Sequence, residues 1–496
     1  MCGVSSFLMK RLEVATYTSE NTMRYRFSRS VAADETHSTF LVFFPPYTPL
    51  ILFIESQGNW FVHRGKGDVM VPGKLRKYSR SVSIIGVGAT PFMNLNEDHE
   101  HEGLTEGDCF GYAALKAMED AGLEPRDVDY FYHGSANPKM FNKAVTPAMQ
   151  VAEWFGMRGR GSVHHSEACA TGYVALEQAV MAVASGSYDI VLSGGVEMAT
   201  GLPDGNKPAC FRRPLTTEDI WPDLDSIIDR AYTRFLGGGN IGQDDWIDMY
   251  RKEYGLTERQ VDDVLNMMSY QGRRAAALNP LALERTPFEE IAKKRGYDDP
   301  MEYLRSPFNP HTTQYLRVTG NAPSADGAAC VIVCPTEMAK DFKQTPIEVL
   351  GIGASCLESA IPHLEKKATA EAARQVYDMT GVKPEDLDLL LVNDFILSSQ
   401  LLAAEEVGYL PKGEGWKYVM EGRTAFDGDR PINTNGGRTS YGHAFGASGA
   451  ADVYEAVLQM RGQAGAHQVK KLPKTTMLRG FGGGQNVRIA ILRTVD

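Results

Sequence analysis

Two short segments of this 496-residue chain hold residue types suited to nucleophilic chemistry. The first is His164-His165-Ser166-Glu167-Ala168-Cys169-Ala170-Thr171-Gly172, where a thiol follows an irregular polar run and precedes a small-residue helix. A thiol at a helix N-terminus meets free N–H groups and a dipole that favour the thiolate. A buried structural cysteine looks the same in sequence, so both readings stay open on this segment alone. The second is Asn433-Thr434-Asn435-Gly436-Gly437, followed by Tyr441-Gly442-His443-Ala444-Phe445-Gly446-Ala447-Ser448-Gly449. Glycines on both sides allow a tight loop that presents one histidine, His443, as a base. A histidine that only caps or packs is the alternative. If the two segments meet, they form a Cys–His couple for covalent catalysis.

The elements around them explain how they could meet. Strand-turn-helix grammar starts at Ser81, with Val82-Ser83-Ile84-Ile85-Gly86-Val87-Gly88, and an internal repeat follows. Ala113 to Gly134 lies on Ala372 to Asn393 at a constant offset of 259 (372 − 113), which superposes Gly122 on Gly381 and Pro125 on Pro384. Cys169-Ala170-Thr171-Gly172 lies on Gly446-Ala447-Ser448-Gly449 at an offset of 277 (446 − 169). Two facing α/β halves, each offering a small-residue helix start, would bring Cys169 and His443 to one pseudo-twofold interface. A charge-, Pro- and Trp-containing insertion, about 202–317, separates the halves and is expected to supply substrate-binding surface. The expected division is a poorly ordered extension over 1–79, a first half over 80–340 carrying the insertion, and a second half over 341–496.

Composition limits the function classes. A formal net charge of −11 argues against nucleic-acid binding, and 43% hydrophobic with 23% charged residues suits a soluble globular protein. Seven cysteines without a CxxC pair predict neither a disulfide framework nor a metal site. No run reaches the roughly 20 apolar residues of a membrane span, and no secretory leader is recognisable, so a cytoplasmic enzyme is expected.

The chain from about Ser81 onward resembles the thiolase superfamily, in its sterol-carrier-protein-type and archaeal branch. Five segments carry the resemblance in family order: Ala168-Cys169-Ala170-Thr171-Gly172; Thr319-Gly320-Asn321 with Asp326-Gly327-Ala328-Ala329; Asn393-Asp394-Phe395; Asn433 to Gly437; and Gly442 to Gly449. The resemblance implies a duplicated α/β fold with a five-layer αβαβα core and an inserted loop domain. It implies that Cys169 takes the acyl group, that His443 draws off its proton, and that Asn393 (through a water) and His443 form one oxyanion hole. The N–H groups of Cys169 and Gly482 would form a second. Coenzyme A would be a substrate, with no permanently bound cofactor, acting on a 3-oxoacyl-CoA in at least a homodimer. The chain departs from the family where Gly480-Phe481-Gly482-Gly483-Gly484 replaces the usual Cys-x-Gly-Gly-Gly. Related proteins without that cysteine work with a zinc-ribbon/OB-fold partner, some as aldolases. That reading, and a non-catalytic scaffold subunit, stand as the alternatives.

Overall fold

The computed structural model describes residues 40–42, 50–54, 60–62, 75–95, 97, 100–101, 103–136, 146–200, 239–356, 368–482 and 486–495. The chain divides into two units, 1–74 and 75–496. In the first, β1 (Phe40–Val42), β2 (Leu50–Ile54) and β3 (Trp60–Val62) pair antiparallel in that order. The rest of the expected extension up to residue 74, and residues 202–238 of the expected insertion, lie outside the described residues. The body begins at Leu75, ahead of residue 80, and Arg80 pairs with Asp189 and Glu337.

In the second unit the repeat is visible element by element. The first copy runs β4 (Val82–Ala89), α1 (Glu106–Ala121), β5 (Tyr130–Gly134), β6 (Gly161–His165), α2 (Thr171–Ala184), β7 (Val191–Met198) and β8 (Asp326–Pro335). Between β7 and β8 lie α3 (Gly239–Glu253) and α4 (Glu258–Leu278), both in the insertion. The second copy runs β9 (Ile347–Ser355), α5 (Ala368–Thr380), β10 (Leu389–Val392), α6 (Ser448–Arg461), β11 (Thr475–Gly482) and β12 (Asn486–Thr494). The short 3-10 turns Pro125–Asp127 and Pro384–Asp386 keep the offset of 259 (384 − 125), and α2 and α6 keep 277 at both ends (448 − 171 and 461 − 184).

Strand alternation shows the layers. On β4, Ile84 and Val87 face a central core while Ile85 faces an outer one under α1. On β8, Val331 and Val333 take the central side, and Cys330 and Ile332 the outer side. Leu389 and Leu391 of β10 also reach the central core, whereas Leu390 and Val392 turn to a third core with α5 and the insertion helices. The central core holds Leu176 and Val180 of α2 with Val453 and Val457 of α6. The order is therefore helix, sheet, paired helices, sheet, helix: the expected five layers. Each fully buried aliphatic side chain contributes about 1.5–3 kcal/mol by removal from water.

The strand order is β10-β11-β12-β9-β4-β8-β7-β5-β6. The two sheets are thus hydrogen-bonded together at one edge, where Ser83 and Ile84 of β4 meet Glu348 and Ile347 of β9. The helix starts of α2 and α6 approach so closely that a Cβ on Gly172 would lie 2.5 Å from the Ala450 nitrogen. That contact explains the small-residue composition of both segments and places the two loops before these helices side by side.

Candidate active site

Strand β6 ends at His165 and the chain turns sharply into α2. Ala168 holds φ at 48°, a left-handed conformation that L-residues other than Asn and Asp seldom adopt. Strain of about 1–3 kcal/mol of this kind persists only where the surroundings enforce it. Thr171 enforces it: its Oγ1 donates to the Ala168 carbonyl at 2.6 Å and accepts from the Glu167 N–H at 2.8 Å. Gly482 closes the other side, where a Cβ would lie 2.6 Å from the Glu167 carbonyl oxygen. The turn lifts Cys169 out at the start of α2.

His443 arrives from the facing half. Gly442, at φ 100°, permits the bend before it, and two backbone bonds, His443 N–H to Pro323 O (2.9 Å) and Ala325 N–H to His443 O (3.1 Å), fix the loop. Its Nε2 lies 3.0 Å from Cys169 Sγ, and its Nδ1 lies 3.1 Å from Ser448 Oγ. The structure therefore brings together the two residues singled out by sequence.

Burial decides their resting charge. It pushes the Cys169 thiol up to about 12, opposed by the charge of Arg438, and holds His443 well below the ordinary imidazole value, with Arg438 adding to the effect. The thiolate expected from the helix N-terminus is thus not the resting form, because desolvation outweighs the dipole. A neutral S–H donates to Nε2, which leaves Nδ1–H to donate to Ser448. Ser448 thereby selects the tautomer in which Nε2 can take the thiol proton as an acyl carbonyl arrives.

Asn393 is fully buried; its Nδ2 donates to Phe481 O at 2.8 Å, and its Oδ1 accepts from Phe395 N–H at 3.0 Å. This anchors Asn393 to the residue before Gly482, and so to the strand end that packs on the Cys169 turn. Gly483 and Gly484 lie outside the described residues. The departure at position 480 has a steric cause: a Cβ on Gly480 would run into the Tyr173 ring, which fills that space. A cysteine cannot be restored there without moving Tyr173.

Sequence reasoning missed Ser448, Tyr173, Arg438, Asp452 and Glu197. Glu197 is buried, and its Oε2 accepts from the Ala136 and Gly446 N–H groups at 2.9 and 2.8 Å, tying the two halves together beside the histidine loop. The 277 offset makes Ser448 the repeat partner of Thr171, a signal that could have marked both as anchors of their helix starts.

Asp394 follows Asn393 and is also buried. Burial pushes its carboxyl up to about 6, against the opposing charge and N–H of Arg438. A carboxyl raised on folding favours the folded state below its unfolded value, and that advantage is lost as pH rises through about 6. Asp394→Asn is therefore expected to raise stability at pH 8 by about 1–2 kcal/mol while leaving it nearly unchanged at pH 4.5. Thermal melts of both proteins across that range check it; equal differences at both ends would contradict it.

A strained nucleophile turn and a neutral thiol–imidazole couple, set at the interface of a duplicated α/β scaffold, define a cysteine-dependent acyl-transfer site. The thiolase N-terminal domain family matches residues 82–337, and the thiolase C-terminal domain-like family matches residues 356–494. The chain belongs to the thiolase family and is a thiolase-type acyltransferase. It is 32% identical to an acetyl-CoA acetyltransferase of Methanothermobacter thermautotrophicus, over 83% of this chain and 99% of that protein. It is 30% identical to a benzoylsuccinyl-CoA thiolase subunit of Thauera aromatica, over 83% and 97%. Its fold is similar to that of a solved structure titled Ltp2-ChsH2(DUF35) aldolase, at a TM-score of 0.61 and 22% identity, covering 84% of this chain and 98% of that one.

Proposed function

We propose that the protein is an acyl-CoA C-acyltransferase that makes or cleaves the carbon–carbon bond of a 3-oxoacyl-CoA. In cleavage, Cys169 Sγ attacks the 3-oxo carbonyl and gives its proton to His443 Nε2. The C2–C3 bond breaks, the acyl group stays on Cys169 as a thioester, and His443 returns the proton to C2 of the departing enolate. The thiol of coenzyme A, deprotonated by His443, then attacks the thioester, and Cys169 leaves as a thiolate that takes the proton back from His443. His443 serves each of these proton transfers because, among the described residues, it is the ionisable side chain in hydrogen-bond reach of Sγ. Asn393 with His443, and the N–H groups of Cys169 and Gly482, stabilise the oxyanions, the term that usually carries most of the acceleration.

The 3.0 Å Sγ–Nε2 contact carries this reading, and the names of the relatives reported above support acyl-CoA substrates. A scaffold role leaves that contact without purpose. We place the enzyme in the cytoplasm, as a homodimer using the edge strand β6, where Val163 and nearby Met149 and Trp154 are exposed. The second reading, an aldolase or atypical acyltransferase with a zinc-ribbon/OB-fold partner, rests on Gly480, where the family's second cysteine is sterically shut out. Free coenzyme A separates the two. Thiolytic cleavage of a 3-oxoacyl-CoA is expected to need it and to yield two thioesters. Release of an aldehyde or ketone without coenzyme A would overturn the first reading in favour of the second.

A further inference from the structure

Behind the Cys169–His443 couple lies a charged cluster that the proposed reaction does not touch. Arg438, about 1% exposed, donates from Nη1 and Nη2 to the two oxygens of Asp452 at 2.6 and 2.5 Å. The Tyr173 hydroxyl donates to the same carboxylate at 2.5 Å, and the Arg438 backbone N–H donates to Asp394 Oδ1 at 2.7 Å. Desolvation makes a buried ion pair a weak source of stability, often no better than apolar residues of the same volume. Its placement suggests another role. Tyr173 lies one turn beyond Cys169 on α2, and Asp452 lies one turn beyond Ser448 on α6. Arg438 belongs to the short helix Gly437–Tyr441 that leads into His443, and Asp394 adjoins Asn393. Through its guanidinium on Asp452, which also accepts from Tyr173, and its backbone N–H on Asp394, Arg438 ties together all four segments of the site.

We propose that Arg438 is a positioning residue: held by Asp452, it clamps the nucleophile helix α2 to α6 and the histidine loop between them, and places a buried positive charge behind the couple. The proposal rests on the acyl-transfer reading of Cys169 and His443. The charged and titratable groups around the couple are Arg438, Asp452 and Asp394, Tyr173 from α2, Glu197 from β7, Glu167 in the nucleophile turn, Tyr441 before the histidine, and Arg479 of β11. Arg479 is engaged elsewhere, donating to Thr369 Oγ1 and the Asn393 carbonyl. Arg438 is the cation whose field reaches both members: it opposes the rise of the thiol and disfavours imidazolium, so a thiolate formed by proton loss to solvent beside the neutral imidazole, the species that alkylation reads, gains from it.

The test follows the pH profile of Cys169 alkylation by iodoacetamide, located by peptide mass spectrometry, together with kcat and KM. Arg438→Leu is expected to move the alkylation profile to higher pH by about one unit and to lower kcat about 10–100-fold, with KM within about twofold. Asp452→Asn leaves the guanidinium uncompensated and is expected to move the profile the opposite way. Arg438→Lys keeps the charge and is expected to stay near wild type in alkylation. The pair Arg438→Leu with Asp452→Leu should recover thermal stability without recovering kcat. Shifts of the same sign in the two single variants, or recovery of kcat in the pair, would overturn the proposal in favour of plain packing. If Arg438→Leu does not fold, Asp452→Asn and Arg438→Lys decide it. Alkylation needs no substrate, so failure of the acyl-transfer reading registers separately, as a wild-type enzyme that takes up no acyl group.

Discussion

Cys169→Ala is expected to abolish acyl transfer, lowering kcat/KM by about 10⁴-fold or more, while the protein keeps its fold. In the proposed reaction the sulfur holds the acyl group, and among the described residues no other cysteine lies beside His443. Of the other described cysteines, Cys109, Cys330 and Cys334 are buried in the outer core of the first half, and Cys356 lies exposed at the end of β9. The turn that carries Cys169 is held by Thr171 and Gly482, while the thiol's own hydrogen bond goes across the interface to His443 and is not what shapes the turn. The melting temperature should accordingly change little, by the equivalent of about 1 kcal/mol or less. Steady-state cleavage assays with a melt of each protein check this; residual turnover within tenfold of wild type would contradict it.

His443→Ala has the second largest expected effect, a loss of about 10²–10⁴ in kcat. It should also slow Cys169 alkylation at neutral pH, because burial raises the thiol and, among the described residues, no other base is hydrogen-bonded to it. The same substitution has a signature in stability. The folded-state value of His443 is depressed, so its contribution is present above the ordinary imidazole value near 6.5 and is lost as pH falls below it. Wild type should therefore lose stability between pH 6.5 and 5 more steeply than His443→Ala. Parallel melting curves over that interval would contradict a buried neutral imidazole.

Much of this architecture is written locally. The repeat is legible because the amphipathic helix, the Pro turn and the apolar strand each leave short-range patterns, and Pro125 and Pro384 fall on matching turns. Cys169 and His443 are legible because glycines and small residues announce the close helix starts that place them. The cluster behind them is not. Tyr173 and Asp452 are 279 residues apart, and a polar contact across two helices has no periodicity to reveal it. Nothing in the local sequence marks Arg438 as the buried residue that it is. The charge state of the couple was also hidden, since a sequence shows the helix N-terminus but not the desolvation that overrides it. Position 480 shows the same limit: the missing cysteine is visible, while the Tyr173 ring that excludes it is visible only in three dimensions.

The most direct measurement is peptide mass spectrometry of wild-type protein quenched with acid after brief exposure to acetyl-CoA. One acetyl group on the peptide containing Cys169, absent from Cys169→Ala and released on addition of free coenzyme A, is the predicted result. An unmodified Cys169 under conditions that support turnover, or an acetyl group carried on a different residue, would contradict the account.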